Sequence, residues 1–247
     1  MKKRLTRFLP FLLAFTIALP SYSVFAEEEN QAKETQTNET NKTQADETTA
    51  NDTLSLAAET AVLIDAASGE ILYDKDADKK MYPASITKLM TILLALENGK
   101  LTDEITFSHD AVYNIEPGSA HIAILEGETL TLEQVLRAII LRSANEASNG
   151  VAEYVDGSVE AFAKHMTERA KELGCTNTNF VNANGLFDEN HYTTAHDMAL
   201  IARELLKHEE YRSMMSETDY EIPPTNLQTE TRYLHGQHQM LNPNSIY

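Results

Sequence analysis

The chain has 247 residues, of which 42% are hydrophobic and 23% charged, a composition typical of globular proteins. Its formal charge of −18 disfavours a nucleic-acid partner, because nucleic-acid binding requires a basic surface. The single cysteine, Cys175, excludes an internal disulfide and a cysteine-based metal cluster. No stretch reaches the roughly 20 apolar residues that a bilayer-spanning helix needs.

The N-terminal segment predicts an exported protein. Four basic residues precede an apolar run over residues 8–19, and Val24 and Ala26 then occupy the −3 and −1 positions of a signal-peptidase site. We expect residues 1–26 to be a cleaved signal peptide; the alternative, an uncleaved anchor, is disfavoured by the short apolar run. Residues 27–54 are rich in Glu, Asn and Thr and poor in apolar side chains, which predicts an acidic disordered tether.

The body of the chain, residues 55–247, begins with a predicted hairpin. Its strands are residues 61–65 and 70–73, and Gly69 lies in the turn between them. Residues 85–97 predict a helix that is apolar on almost every side, as is typical of a buried central helix, with Gly99 at its C-cap.

Further helices follow, each with a polar residue at its start. They are predicted over residues 131–141 with Thr129 or Thr131 as the cap, over 146–156, from the Ser158 cap to Leu173, and over 195–207 with Thr194 as the cap. Helices outnumber strands in this pattern. We therefore expect an α+β fold, with helices packed on an antiparallel sheet whose later strands lie beyond Tyr247.

Ser85 and Lys88 are the first candidates for chemistry. Residues three apart on a helix share a face, so the hydroxyl and the amine can meet. Lysine can remove the proton from a serine hydroxyl only in its neutral form. The start of a helix and a buried environment both lower a lysine pKa. The pattern alone is common, however, and a helix cap beside a surface lysine is the simpler interpretation.

Ser143 and Asn145 are the second candidates. They form a polar break between two apolar helical runs, where unpaired polar groups would be costly. A second hydroxyl could relay a proton, and an amide could orient a substrate or Lys88. An ordinary turn between helices is the alternative, but the two patterns together are more specific than either alone.

Three motifs in the chain resemble those of D-alanyl-D-alanine carboxypeptidases, the low-molecular-weight penicillin-binding proteins. Residues 83–91 (PASITKLMT) resemble the nucleophile motif, and residues 141–147 (LRSANEA) resemble the second motif. Residues 182–186 (NANGL), followed by residues 191–197 (HYTTAHD), are similar to a further segment of the family. The resemblance extends over about residues 56–247 and implies the fold shared by serine β-lactamases and DD-peptidases.

The resemblance also implies roles for the candidate residues. Ser85 would be the nucleophile, Lys88 its general base, Ser143 a proton relay and Asn145 a substrate-orienting residue. The implied reaction removes the terminal D-alanine from a peptidoglycan stem pentapeptide through an acyl-enzyme, and β-lactams would acylate the same serine. No cofactor and no metal are implied. The implied location is the outer face of a bacterial membrane or the cell wall.

One departure from the family concerns its third motif. No Lys-Thr-Gly sequence occurs in the chain. In the family this motif follows a segment like residues 240–247 and supplies the cation that binds the substrate carboxylate. We therefore expect an N-terminal piece of a longer protein, inactive or misfolded alone. The family's amphipathic C-terminal membrane anchor, the one membrane contact that we expect, would lie in the remainder.

Two other functions share these features. A serine β-lactamase of class A also needs a carboxylate to activate the deacylating water, but the Glu-x-x-x-Asn pattern for it occurs only in the predicted tether. A non-catalytic wall-binding or penicillin-binding protein would have no need of all four candidate residues.

The eight histidines have no spacing typical of a zinc site. We expect His191 and Asp197 to fix the segment around the Thr193–Thr194 cap.

Overall fold

The structure, a computed structural model, describes residues 56–241. The predicted signal peptide and the whole of the predicted tether lie outside this range, as do residues 242–247. Within it, seven α-helices and three two-stranded antiparallel sheets alternate along the chain. The predicted α+β class is confirmed.

The elements between residues 56 and 241 have the following bounds. The helices are α1 (Lys88–Asn98), α2 (His109–Tyr113), α3 (Leu132–Arg142), α4 (Asn145–Asp156), α5 (Val159–Glu172), α6 (Ala195–Leu205) and α7 (Glu209–Met215). The strands are β1 (Ala61–Ile64), β2 (Ile71–Lys75), β3 (Glu104–Thr106), β4 (Thr129–Thr131), β5 (Asp219–Ile222) and β6 (Arg232–His235).

The predicted hairpin is confirmed as the pair β1–β2. Leu63 lies opposite Tyr73, and Gly69 occupies the turn with a φ of +81°, a conformation that glycine adopts without a Cβ penalty. The structure also contains two strand pairs that the sequence did not predict: β3 pairs with β4, and β5 pairs with β6. These strands are only three or four residues long, too short for an alternating pattern to be distinctive.

The predicted central helix is confirmed, with a different first turn. Residues 90–95 of α1 are buried. The turn before it, Ala84–Thr87, is a 3-10 helix that follows Pro83, and Ala84 adopts a left-handed φ of +48°. The α-helix therefore begins at Lys88 and not at Ser85. Gly99 is the C-cap as predicted, but with an extended backbone.

The polar caps predicted for the later helices are confirmed. Thr131 forms a capping box with Gln134 at the start of α3, and Ser158 and Thr194 accept backbone N–H bonds at α5 and α6. The predicted last helix was too long, because α6 ends at Leu205, and α7 follows after a short turn.

Packing around α1 brings the candidate residues together. This helix contacts α3, α4, α5 and α6, and its apolar side chains lie in one continuous core with those of α3 and α4. Burying a side chain the size of Leu93 stabilises the fold by about 1.5–3 kcal/mol. The N-terminus of α1 thus faces the junction between α3 and α4. Between residues 56 and 241, no helix has the length and hydropathy to span a membrane.

Candidate active site

The first part of the site is the 3-10 turn that leads into α1. Because this turn continues into the helix, Ser85 and Lys88 lie on the same side, with Lys88 Nζ 3.2 Å from Ser85 Oγ. Ser85 is exposed, whereas the Lys88 side chain is buried, with 4% of the residue exposed. The surface-lysine interpretation is therefore wrong.

The second part is the junction between α3 and α4. Ser143 ends α3 in a left-handed conformation with a φ of +55°, which costs a non-glycine residue about 1–2 kcal/mol. This conformation directs Ser143 Oγ to within 3.0 Å of Ser85 Oγ. Asn145 begins α4, and its Oδ1 accepts a hydrogen bond of 2.8 Å from Lys88 Nζ. The structure thus brings all four predicted residues into contact, although 57 residues separate Lys88 from Asn145.

A third partner of Lys88 was not among the predicted site residues. The backbone carbonyl of Asn184 accepts a hydrogen bond of 2.6 Å from Lys88 Nζ. Asn184 is itself fixed, because its amide donates to Asn149 Oδ1 at 3.1 Å. Asn182 closes the same loop by accepting the Gly185 N–H at 2.7 Å. Residues 182–186, one of the segments that resemble the family, therefore contribute a backbone carbonyl to the surroundings of Lys88.

The three oxygens around Lys88 Nζ define what its neutral form can do. A neutral amine has two N–H groups and one lone pair. The oxygens of Asn145 and Asn184 can only accept, so they take the two N–H groups. The lone pair is then left for Ser85, whose hydroxyl can both donate and accept. In this arrangement the lone pair of a neutral Lys88 amine faces Ser85 Oγ.

Burial also favours the neutral form of Lys88. Removal from water lowers the pKa of its amine to about 8, against the opposing effect of the Glu146 carboxylate, which raises it. A lysine of this kind is a weaker base than a free one but is available in its neutral form near physiological pH.

His191 braces the turn that carries Ser85. Its Nε2 lies 2.7 Å from Thr87 Oγ1, and its Nδ1 accepts the Val181 N–H at 3.1 Å. Since Nδ1 is an acceptor, we assign the proton to Nε2, which donates to Thr87. Burial lowers the pKa of His191 to about 4, so this bridge is maintained at neutral pH. His191 was predicted to fix the segment around Thr194, and in the structure it also fixes the turn that carries Ser85.

Asp197 fixes residues 177–178 beside Thr193, whose Oγ1 lies 2.7 Å from Thr178 Oγ1. Its carboxylate accepts hydrogen bonds from the Asn177 N–H at 2.8 Å and from Thr178 Oγ1 at 2.7 Å. Cys175 packs nearby as a buried residue, and burial raises the pKa of its thiol to about 12. A thiol with this pKa stays protonated and unreactive at neutral pH.

A cavity of about 810 Å³ opens beside Ser85. Apolar side chains of α1 and α3 form much of its wall, and His235 and Asp219 lie on the β5–β6 side. Across residues 56–241, no group of three or more His, Cys, Asp or Glu side chains is placed to bind a metal ion. His235 and His238, which are three apart in sequence, both line this cavity, and His235 pairs with Asp219 at 2.6 Å.

Comparisons with known proteins agree with the sequence motifs. Residues 43–244 match the profile of a family described as D-alanyl-D-alanine carboxypeptidase. The chain is 43% identical over 161 residues to D-alanyl-D-alanine carboxypeptidase DacF of Bacillus subtilis, which covers 63% of this chain and 41% of the relative. It is 33% identical over 219 residues to DacA of Haemophilus influenzae, covering 86% of this chain and 51% of that protein. The chain thus spans about half or less of these relatives.

Solved structures share the fold. Penicillin binding protein 5 from Haemophilus influenzae superposes with a TM-score of 0.67 and 31% identity, covering 76% of this chain and 54% of that one. The Streptomyces K15 DD-transpeptidase superposes with a TM-score of 0.71 at 24% identity, covering 78% of each chain, a likeness of fold alone. The profile match covers most of the chain. The chain therefore belongs to the D-alanyl-D-alanine carboxypeptidase family.

Proposed function

We propose that the protein is a serine-type D-Ala-D-Ala carboxypeptidase, which removes the terminal D-alanine from peptidoglycan stem pentapeptides through an ester on Ser85. The observation that carries the proposal is the convergence of Lys88 Nζ and Ser143 Oγ on Ser85 Oγ, at 3.2 and 3.0 Å, beside an open cavity. A nucleophile with a base and a second proton carrier in contact is the arrangement that acyl transfer requires.

The proposed acylation moves one proton in two stages. Ser85 Oγ attacks the carbonyl carbon of the penultimate D-alanine while its proton passes to the Lys88 lone pair. The Ser85 N–H, at the start of the helical segment, would stabilise the oxyanion. The C–N bond then breaks, and the departing D-alanine amine takes a proton from Ser143 Oγ, which recovers one from Lys88. Asn145, whose Oδ1 is bound to Lys88, would donate a hydrogen bond to the substrate from its Nδ2.

Deacylation reverses these roles. Water attacks the ester carbon and gives its proton to Lys88, the bond from that carbon to Ser85 Oγ breaks, and Lys88 returns the proton to Ser85. A β-lactam would acylate Ser85 in the same way, but its leaving nitrogen stays attached to the acyl group. The ester with a β-lactam should therefore persist longer than the ester with a peptide.

The proposal includes export, because the substrate lies outside the cytoplasmic membrane. Residues 1–26 would serve as the signal peptide and residues 27–54 as a spacer ahead of the catalytic domain. The formal charge of −18 gives no reason to expect a nucleic-acid partner.

The test uses two substrates and the full-length protein to which this chain is expected to belong, since the chain alone is expected to be inactive. We expect release of D-alanine from a stem pentapeptide, and covalent labelling by a fluorescent penicillin on the peptide that contains Ser85, located by mass spectrometry. A chromogenic cephalosporin should be hydrolysed slowly, with a stable acyl-enzyme. Rapid turnover of the cephalosporin would assign the chain to the β-lactamases, and labelling without D-alanine release would assign it to non-catalytic penicillin binders.

The pH dependence of acylation provides a second prediction. The reaction requires neutral Lys88, whose fraction rises with pH through the pKa of about 8. About a tenth of the amine is neutral at pH 7, so the acylation rate should rise nearly tenfold per pH unit below pH 7 and level off above pH 8. Stopped-flow measurement of penicillin acylation from pH 5 to pH 10 checks this, and a rate independent of pH below 7 would contradict it.

A further inference from the structure

Glu146 is a buried carboxylate that the proposed mechanism does not use. Only 1% of the residue is exposed. Its Oε1 accepts the Ile122 N–H at 2.7 Å, whereas its Oε2 is buried with no hydrogen-bond partner among the described residues. A buried charged oxygen without a partner is costly, by about 1–3 kcal/mol or more, so a carboxylate at this position needs a reason.

Glu146 joins the start of α4 to a long irregular segment. Residues 114–128 contain neither helix nor strand, and Ala123 within them has a left-handed φ of +59°. Three hydrogen bonds attach this segment to α4. The Asn145 N–H donates to the Ala120 carbonyl at 2.9 Å, the Ile122 N–H donates to Glu146, and Asn149 Nδ2 donates to the Asn114 carbonyl at 3.4 Å. Asn145, which contacts Lys88, and the adjacent Glu146 thus help to attach the irregular segment to α4.

The ionisable groups around Glu146 come from three elements. Lys88 of α1 contacts Asn145, the residue directly before Glu146, and the Glu146 carboxylate raises the pKa of the Lys88 amine. Burial raises the pKa of Glu146, against smaller lowering effects from backbone hydrogen bonds and from His121 of the irregular segment. Tyr113 and Glu116 line the same cavity of about 330 Å³ as Glu146 and His121. Lys88 is the only one of these groups that also contacts Ser85. A change of charge on Glu146 therefore acts on the proposed general base.

We propose that Glu146 is a positioning residue, which ties residues 114–128 to the helix that carries Asn145 and sets the charge beside Lys88. The consequence for acyl transfer rests on the proposed function. The ionised carboxylate favours the protonated amine, so it strengthens Lys88 as a base and lowers the fraction of neutral Lys88 at a given pH. The effect of the Glu146 charge can be measured separately from the effect of its hydrogen bond to Ile122, because one substitution removes the charge and another removes the hydrogen bond.

Glu146→Gln removes the charge and keeps an oxygen for the Ile122 N–H. Without the negative charge, Lys88 should lose its proton at lower pH than in the unsubstituted protein, which the Cε resonance of Lys88 in an NMR titration reports directly. The Ile122 amide should remain protected from hydrogen exchange. For acylation by penicillin, the acid limb of the pH profile should move to lower pH, raising the rate at pH 6 by about threefold.

Glu146→Asp keeps the charge and shortens the side chain by one methylene group, about 1.5 Å, which removes the reach to Ile122. We expect faster hydrogen exchange at Ile122, a higher KM for the pentapeptide and an acid limb that stays in place. Glu153→Gln is the matched control, because it removes the same formal charge from the other end of α4, where the half-buried Glu153 accepts a hydrogen bond from Ser108 Oγ. It should change neither the Lys88 titration nor Ile122 exchange.

The two spectroscopic readouts keep this inference separate from the proposed function. An unchanged Lys88 titration in Glu146→Gln, or unchanged Ile122 exchange in Glu146→Asp, would overturn the positioning role even if the protein acylates normally. If instead both readouts move as expected and the unsubstituted protein fails to acylate, the positioning role stands and the carboxypeptidase function fails. Equal effects of Glu146→Gln and Glu153→Gln on Lys88 would also overturn it.

Discussion

Replacing Ser85 by alanine should abolish covalent labelling by penicillin and lower the rate of D-alanine release by about a thousandfold or more. Ser85 Oγ is the atom that would form the ester, and it is the point where the contacts of Lys88 Nζ and Ser143 Oγ converge. Labelling is measured with fluorescent penicillin on a denaturing gel, and D-alanine by a coupled oxidase assay.

The control for this variant must remove a hydroxyl without touching the site. Ser213 is an exposed serine on α7, so Ser213→Ala should leave labelling and D-alanine release unchanged. A thermal melt of each variant separates loss of the nucleophile from loss of the fold. Because Ser85 is exposed, we expect Ser85→Ala to melt within a few degrees of the unsubstituted protein. Persistent labelling in a folded Ser85→Ala protein would contradict the assignment of the nucleophile.

The proximity of Ser85 and Lys88 could be predicted from the sequence because it depends only on local geometry. Side chains three residues apart meet on a 3-10 helix as well as on an α-helix, so the error in the first turn did not affect the result. The contacts of Ser143 and Asn145 with them depend on how α3 and α4 pack against α1. Spacing alone carries no information of that kind. The polar break between two apolar helical runs made these residues candidates, and the family resemblance implied their roles.

The contact between Asn184 and Lys88 could not be predicted from the sequence. Asn184 contacts Lys88 through its backbone carbonyl, a group that every residue possesses. The only sign was the cluster of asparagines and one glycine over residues 182–185, which is typical of a tight loop. The bond between His191 and Thr87 joins residues 104 apart, so it too required the packed structure.

Helix boundaries were predicted best where a hydroxyl residue caps the first turn, as at Thr131, Ser158 and Thr194. Such caps act through bonds within three residues, which the sequence displays directly. The strands β3 and β4 pair Ile105 with Leu130 across a long connection, and their partners cannot be read from a three-residue pattern. Tertiary contacts define these strands, so no local pattern indicates where they lie.

Gly185 should be the most sensitive position outside the four site residues. Its φ is +84°, and a Cβ added there would lie 1.9 Å from the carbonyl oxygen of Ala84 and 2.9 Å from Thr87 Oγ1. The obstacle is largely backbone, which cannot rotate away as a side chain can. Gly185→Ala must therefore displace either the loop that binds Lys88 or the turn that carries Ser85. Either displacement disturbs both partners of the proposed proton transfer.

We expect Gly185→Ala to lower the free energy of unfolding by about 3 kcal/mol or more, because left-handed strain adds to overpacking. Gly157→Ala is the matched control: its φ is +79°, but nothing lies within 4 Å of the added Cβ, so only the strain of about 1 kcal/mol remains. Differential scanning calorimetry should show a Tm lower by roughly 6–12 °C for Gly185→Ala and by only a few degrees for Gly157→Ala. Penicillin labelling should fall sharply in the first variant alone, even at temperatures where it is folded. Equal losses in both variants would mean that strain, and not the contact between loop and turn, makes this glycine necessary.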